Sequence, residues 1–81
     1  MIYVDNAYIV YRGMRMCHLM SDQVDNAEIH DFANKIGLKR EWFHQDHYDI
    51  SQSKRTQAIA MGAVETTSKH LVQIRNQKKK E

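Results

Sequence analysis

The segment from Asp25 to Gly37 constrains the fold more than any other part of the chain, because it carries the signals of one complete amphipathic helix. Its apolar residues recur at the spacing that forms one stripe along a helix: Ile29, Phe32, Ala33 and Ile36. Asp25 can cap the amino end, and Gly37 occupies the position after the last turn, where a positive φ is common. A buried stripe needs a surface to pack on, and the flanking segments must supply it.

Runs of β-branched and aromatic residues on both sides of this helix predict strands. Residues 2–4 and 8–11 are short runs of this type, and residues 14–20 alternate between two faces. Beyond the helix, residues 41–44 predict a further strand whose Trp-Phe pair would join the core. A strand, a helix and a strand in this order form a βαβ unit, in which the two strands are parallel and the crossover is right-handed.

The chain of 81 residues is therefore predicted to be one α/β domain, with α+β as the alternative. We expect a small mixed sheet of three or four strands around a central βαβ unit, with two or three helices. The second helix should run from about residue 53 to residue 61, with Ser51 or Ser53 as its cap, and a third should begin after Thr66 or Thr67. Residues 1–76 would form the compact domain, and residues 77–81 a basic, flexible tail.

Composition excludes several classes of protein. A single cysteine, Cys17, leaves no disulfide within the chain and favours a reducing compartment, so we expect the protein in the cytoplasm. The sequence has no secretory signal and no apolar run near the roughly 20 residues of a membrane span, so no membrane partner is expected. The net charge of +2 is too mild to indicate nucleic acid by itself. Two tyrosines and two arginines between residues 8 and 15 keep that alternative open.

A polar cluster at residues 44–55 precedes the second predicted helix. It holds two histidines, two aspartates, a tyrosine, a lysine and an arginine within twelve residues. His47 and Asp49 are the candidate catalytic pair, because in a loop the carboxylate could orient the imidazole for acid–base work. The alternative is a histidine that only completes a hydrogen-bond network.

Lys54 and Arg55 are the candidate anion-binding pair. They fall in the first turn of the predicted helix, where the macrodipole disfavours cations by about 0.3–1 kcal/mol each and free backbone N–H groups attract phosphate or carboxylate. Replacing both by alanine is thus expected to leave the free energy of unfolding within about 1 kcal/mol, or to raise it. In the alternative, Asp46 and Asp49 satisfy the two cations as local ion pairs.

The predicted topology adds residues from the neighbouring strand. In open parallel sheets, ligands bind beyond the carboxyl ends of the strands, so Asp22 or His18 is expected near the catalytic pair. The expected ligand-binding set is His18, Asp22, Tyr48, Lys54 and Arg55. Asp5 is left open, because its short connection to Gly13 favours a hairpin that would place it at the opposite edge.

The same residue types suit a metal ion, but no known zinc pattern fits. The pair His44-x-x-His47 lacks a second ligand pair at zinc spacing. The sequence therefore assigns no cofactor and no metal ligand. If a divalent metal binds, His18, His44 and His47 are the histidines to test.

Several short motifs occur together in an order that resembles a known family. They are Tyr3-Val4-Asp5, Cys17-His18-Leu19 with Ser21-Asp22, His30-Asp31-Phe32-Ala33, Ile36-Gly37, Arg40-Glu41-Trp42-Phe43, His47-Tyr48-Asp49, Ser53-Lys54-Arg55 and Gly62-Ala63. Nearly the whole chain is similar to small proteins from bacteria and their phages, catalogued as a domain of unknown function (family 4031). The resemblance implies a compact intracellular domain, in the host cytoplasm if a phage encodes it, and it supplies no reaction.

These observations lead to two hypotheses of different class. In the first, a His/Asp/Lys/Arg pocket binds a phosphorylated or nucleotide-like ligand, and a phosphoesterase or nuclease-like activity is open. In the second, the domain is a non-catalytic, phage-type interaction protein that binds and modulates a host defence protein through its methionine face and surface charge. A homodimer is expected in either case, with a monomer as the alternative, because a chain this short has little core to bury alone.

Overall fold

In the computed structural model, which describes residues 1–79, six strands form one mixed sheet that carries three helices. The strands are β1 (Ile2–Val4), β2 (Ile9–Tyr11), β3 (Met14–Ser21), β4 (Phe43–His44), β5 (His47–Ser51) and β6 (Val64–Glu65). The helices are α1 (Ala27–Lys35), α2 (Gln52–Ala60) and α3 (Ser68–Lys79), with a 3-10 turn at Arg40–Trp42. The mixed content is compatible with the predicted α/β class, but the sheet exceeds three or four strands. The main strand missing from the prediction is β5, whose residues were assigned to the polar segment before the second helix.

The strand order β4-β5-β3-β1-β6 places β3 at the centre of the sheet. One side of β3 pairs with β5, and the other side is shared by β2 at its amino half and β1 at its carboxyl half. Residues 5–8 connect β1 to β2 and leave a gap in the pairing beside the middle of β3. Among the strands described, β1 and β6 are the one parallel pair.

The predicted βαβ unit is split by a strand that the sequence analysis missed, because β5 is the antiparallel neighbour of β3. The strand predicted after α1 corresponds to β4, which does run in the direction of β3. However, the chain reverses at Gln45 and Asp46 and returns as β5, which lies between β4 and β3. His47, Tyr48 and Asp49 are therefore strand residues rather than loop residues, and their side chains alternate between the two faces.

One face of the sheet carries the main core beneath α1 and α2. Its buried residues are Ile2, Val4, Cys17, Leu19, Ile29, Ala33, Ile36, Leu38, Tyr48, Ile50, Ala58 and Ala63. The predicted stripe of α1 is confirmed, because three of its four residues belong to this core and Phe32 packs against it. Gly37 follows α1 with a φ of 80°, the left-handed conformation that its position was predicted to need.

The opposite face is covered in part by α3. Leu71 and Ile74 pack there on Met20 and Tyr3. α3 continues through Lys79 and so includes residues 77–79 of the predicted tail, whereas residues 80 and 81 lie outside the described part of the chain. No helix within residues 1–79 is long and apolar enough to cross a membrane.

Two local predictions have different outcomes. Ser51 caps α2 as predicted, since its hydroxyl accepts a hydrogen bond from the backbone N–H of Lys54 at 3.3 Å. Trp42, by contrast, does not join the core and is 46% exposed. The reason is that residues 40–42 form a 3-10 turn instead of a strand, so only Phe43 of the Trp-Phe pair packs against the core.

Candidate functional site

The register of the two central strands brings three polar side chains to one face of the sheet. His18 on β3 lies directly opposite Asp49 on β5, and His47 lies two residues before Asp49 on the same face. This face is the one that α3 covers in part. The three residues therefore meet in the middle of the sheet, not beyond the carboxyl ends of its strands.

Both imidazole rings direct Nε2 toward the Asp49 carboxylate. Asp49 Oδ1 lies 3.6 Å from His18 Nε2 and 3.4 Å from His47 Nε2. A ligand atom from each of the three residues lies within 4.8 Å of the other two. These N···O separations exceed the roughly 2.7–3.2 Å of a good hydrogen bond. The three groups are therefore close to one another without bonding directly, and they surround a common point. The Asp49 side chain is 52% exposed, which leaves that point accessible to solvent.

A buried carboxylate fixes the orientation of the His18 ring. Asp5 Oδ2 lies 2.6 Å from His18 Nδ1, and Asp5 Oδ1 accepts the backbone N–H of His18 at 2.8 Å. The gap between β1 and β2 makes this contact possible, because no strand competes there for that N–H group. Ser68 at the start of α3 donates its hydroxyl to Asp5 Oδ2 at 3.1 Å. Asp5 is fully buried, and its oxygens have several partners.

His47 is held in the same way by its neighbour in sequence. Asp46 Oδ1 lies 2.9 Å from His47 Nδ1. Arg75 of α3 binds the same carboxylate with both Nε and Nη2, at 2.6 and 3.2 Å. A neutral imidazole that donates Nδ1–H to a carboxylate keeps the lone pair on Nε2 for another ligand. In both histidines a carboxylate thus fixes Nδ1, and Nε2 is directed toward Asp49.

The electrostatics of the two anchoring carboxylates follow from these contacts. Burial disfavours ionisation of Asp5, but the hydrogen bonds from the His18 ring and backbone outweigh it, so the Asp5 pKa lies below its usual 3.8. Burial likewise acts against Asp46, and the hydrogen bonds from His47 and Arg75 hold its pKa below 3.8. The hydrogen bond to Asp5 is also the main cause that raises the pKa of His18 above 6.5, against the opposing effect of burial. Both carboxylates are therefore ionised acceptors at neutral pH.

Two residues of the predicted ligand-binding set lie away from this cluster. Tyr48 faces the main core, where its hydroxyl is hydrogen-bonded to His30 Nδ1 at 2.9 Å. Asp22 follows the end of β3 and accepts a hydrogen bond from the amino group of Met1 at 2.8 Å. His44 is exposed, and its ring centroid lies 5.8 Å from that of His47 without joining the three-residue group.

Lys54 and Arg55 reach different partners. Lys54 Nζ donates to the carbonyl oxygen of Ile36, at the carboxyl end of α1, at 2.6 Å. Arg55 Nε donates to the carbonyl oxygen of Asp5 at 2.8 Å, and its Nη2 donates to Glu65 at 3.2 Å. Within residues 1–79, neither cation pairs with the aspartates of the polar cluster. Arg55 is nevertheless linked to the site, because it fixes the backbone of Asp5.

The contacts of Arg55 change the expected effect of removing its charge. Its guanidinium lies 5.5 Å from the ring centroid of Tyr8, and its side chain is 12% exposed. We expect Arg55→Ala to lower the free energy of unfolding by about 2 kcal/mol, since hydrogen bonds of charged groups contribute roughly 1.5–3 kcal/mol. Arg15→Ala, at an exposed position of β3, is the matched control and should change it by less than about 0.5 kcal/mol. Urea unfolding measures both variants, and equal midpoints would contradict this role of Arg55.

A cavity of about 580 Å³ opens beside the cluster. His18 and Asp49 form part of its wall, and Lys54 lies on the same wall. Of the two predicted anion-binding cations, Lys54 is thus the one that shares a space with the histidine cluster.

Nearly the whole chain matches one family model, which is described as Protein of unknown function (DUF4031) and covers residues 2–78. The chain belongs to this family. No curated protein and no solved structure matches it. Every residue of the cluster, including the anchoring residues on α3, falls within the part that matches DUF4031.

In this DUF4031 domain, the sequence analysis did not predict the anchoring role of three residues. Asp46 could have been found, because it immediately precedes His47. Ser68 and Arg75 could not, because their contacts join residues 63 and 29 positions apart in the chain. The side-chain periodicity of α3 carries no information about which strand the helix will cross.

Proposed function

We propose that this domain binds a divalent transition-metal ion through His18 Nε2, His47 Nε2 and the Asp49 carboxylate, and that the ion holds a phosphorylated ligand. The observation that carries the proposal is the spacing of the three ligand atoms. Two atoms bound to one ion at about 2.1 Å with tetrahedral angles lie roughly 3.4 Å apart. Asp49 Oδ1 lies 3.4 Å from His47 Nε2 and 3.6 Å from His18 Nε2, and these separations suit such co-ligands.

The anchoring of the histidines supports the proposal. Metal-bound histidines almost always donate their other ring nitrogen to a carboxylate or carbonyl, which fixes the ring and raises the basicity of the ligand atom. His18 and His47 each have such a carboxylate, Asp5 and Asp46 respectively.

The donor set favours one class of ion. Imidazole nitrogen suits zinc, iron, copper and nickel, whereas magnesium and calcium prefer sites made of oxygen atoms. Two imidazoles and one carboxylate also leave at least one coordination position open, as in sites that act on a substrate. We therefore propose an ion of the zinc class.

A site of this composition suits a phosphate ligand. A divalent ion held by two neutral imidazoles and one carboxylate keeps a net positive charge. This charge would attract a phosphate, the role that the sequence analysis assigned to Lys54 and Arg55. The ion would also lower the pKa of water, the chemistry that phosphate ester hydrolysis requires. In that reaction the water oxygen bonds to phosphorus, the ester P–O bond breaks, and the leaving alcohol takes a proton from the water.

The test is the visible absorption spectrum of Co²⁺ added to the metal-free protein, followed by displacement with Zn²⁺. We expect intense bands of low coordination number in the wild type and their loss in Asp49→Ala. Asp22→Ala removes an exposed aspartate outside the cluster and is the matched control, so its spectrum should equal that of the wild type. Metal-dependent release of p-nitrophenol from p-nitrophenyl phosphate would extend the proposal to catalysis. A spectrum of free aqueous Co²⁺ in the wild type would refute the site.

A second candidate function is the interaction protein. One face of the β2–β3 hairpin carries three exposed apolar residues, Ile9, Tyr11 and Met14, each more than half exposed. Such a surface suits a protein partner, whether a host protein or a second copy of the chain. If the domain binds neither Zn²⁺ nor phosphate, this function takes precedence over the metal-dependent one.

A further inference from the structure

We propose that the cavity beside the cluster receives the aromatic body of a phosphate monoester whose phosphate is held at His18, His47 and Asp49. This inference rests on the proposed metal site and adds the class of ligand. The cavity volume of about 580 Å³ falls within the roughly 300–1,000 Å³ typical of small-molecule sites. His18 and Asp49 belong both to the cavity wall and to the cluster, so one molecule can reach the two.

Apolar side chains form most of the cavity wall. They are Ile9, Tyr11, Met14 and Met16 from the β2–β3 hairpin, Leu38 and Trp42 from the chain before β4, and Ile50 from β5. Aromatic ligands gain favourable contacts from methionine sulfur and from tyrosine and tryptophan rings. A sugar or glycerol body would lose water from its hydroxyl groups at such walls without finding partners. The wall therefore selects a flat aromatic body.

Two polar groups on the cavity wall add a further requirement for the aromatic part of the ligand. They are the Ser51 hydroxyl and the Lys54 ammonium. Lys54 Nζ donates to Ile36 O at 2.6 Å and to Gln57 Oε1 at 3.5 Å, and an ammonium group has three hydrogens. The third hydrogen can meet an acceptor on the aromatic body, such as a ring nitrogen or carbonyl of a nucleobase.

Paired probes with the same type of head group test the inference on zinc-loaded protein. Phenylphosphonate and methylphosphonate both resist hydrolysis and differ in the aromatic ring. Trp42 is the sole tryptophan of the chain and lies on the cavity wall, so its fluorescence reports a ligand there. We expect phenylphosphonate to bind at least about tenfold more tightly than methylphosphonate, since apolar pockets discriminate by roughly that factor for even small groups. Equal affinities would overturn the inference.

Two neighbouring positions on β2 provide a matched pair of variants. Ile9 is 54% exposed and lies on the cavity wall, whereas Val10 is 67% exposed and projects from the other face of the same strand. Ile9→Ser should weaken phenylphosphonate binding by about fivefold to tenfold and leave methylphosphonate unchanged. Val10→Ser should change neither. Equal effects of the two variants would exclude this wall as the ring-binding surface.

The same titrations separate this inference from the proposed metal site. Methylphosphonate that binds with no preference for the phenyl analogue would refute the aromatic cavity and leave the metal site standing. Failure of the protein to bind Zn²⁺ would refute the metal site itself. Uridine 5′-monophosphate is the third probe, and binding tighter than that of phenylphosphonate would assign a nucleobase to the cavity.

Discussion

Zinc should raise the midpoint of thermal unfolding of this protein by roughly 15 °C or more when the free ion is a thousandfold above its dissociation constant. A ligand that binds only the folded state then adds about 4 kcal/mol to the free energy of unfolding. For a domain of this size, each kcal/mol moves the midpoint by roughly 4–8 °C. The ligands come from β3 and β5, so the complete site exists only in the folded chain.

The controls use the histidines of the polar cluster. His47→Ala removes a proposed ligand and should abolish the zinc-dependent rise, whereas His44→Ala removes an exposed histidine three residues away and should preserve it. Scanning calorimetry with and without a chelator measures the change, and Mg²⁺ should have little effect on either protein. An equal rise in the wild type and in His47→Ala would show that zinc binds elsewhere.

Asp5→Ala should remove most of the stability of the metal-free protein. Its carboxylate is fully buried and satisfies the His18 ring, the His18 backbone N–H and the Ser68 hydroxyl. Removing one partner of a buried charged pair costs about 3–5 kcal/mol. Small domains have total stabilities of about 5–15 kcal/mol, and a chain this short belongs near the lower limit. We therefore expect unfolding at low urea concentration.

Asp31→Ala is the matched control for this loss. Asp31 forms an exposed pair with Lys35 at 3.2 Å, one turn along α1, and such pairs contribute about 0.3–0.5 kcal/mol. Urea midpoints that are similar for the two variants would contradict the role of Asp5. Asp5→Asn retains the shape of the side chain and serves as the variant in which the fold can be studied without the charge.

The pH dependence of the metal-free protein should reveal the same pair. Because Asp5 raises the pKa of His18 above 6.5, protonated His18 stabilises the folded state below 6.5, and this contribution is lost as the pH rises through the raised value. Asp5→Asn should lower the His18 pKa and remove this part of the dependence. NMR titration of the ring protons measures the pKa, and an unchanged value in Asp5→Asn would exclude Asp5 as the cause.

Local sequence patterns predicted the helices better than they predicted the sheet. The stripe of α1, its terminal Gly37 and the Ser51 cap of α2 depend on residues a few positions apart, and these predictions agree with the structure. Strand pairing depends instead on residues far apart in the chain. The sequence indicated one strand between α1 and α2, whereas a reversal at Gln45 and Asp46 produces two, so the antiparallel strand β5 beside β3 was not predicted.

The same distinction between local patterns and long-range pairing explains which parts of the polar cluster were predicted. His18, His47 and Asp49 were all selected from the sequence, because their side-chain chemistry is visible there without a fold. Their meeting point was expected at the carboxyl ends of parallel strands, but it lies on the sheet face, where antiparallel pairing sets His18 opposite Asp49. Lys54 and Arg55 were grouped because they are adjacent. In the structure their long side chains reach partners on α1 and on the loop after β1.

The sequence by itself determined the α1 stripe, the glycine that ends α1, the cap of α2 and the presence of imidazole and carboxylate groups, because these depend on residue type and on short spacings. Only the tertiary structure decided that Asp5 anchors one histidine and that Arg75 anchors the carboxylate behind the other. Those contacts require the gap between β1 and β2 and the path of α3 across the sheet. Both features result from long-range packing, in which each contact is stabilised by residues distant in the chain, so no local pattern can encode them.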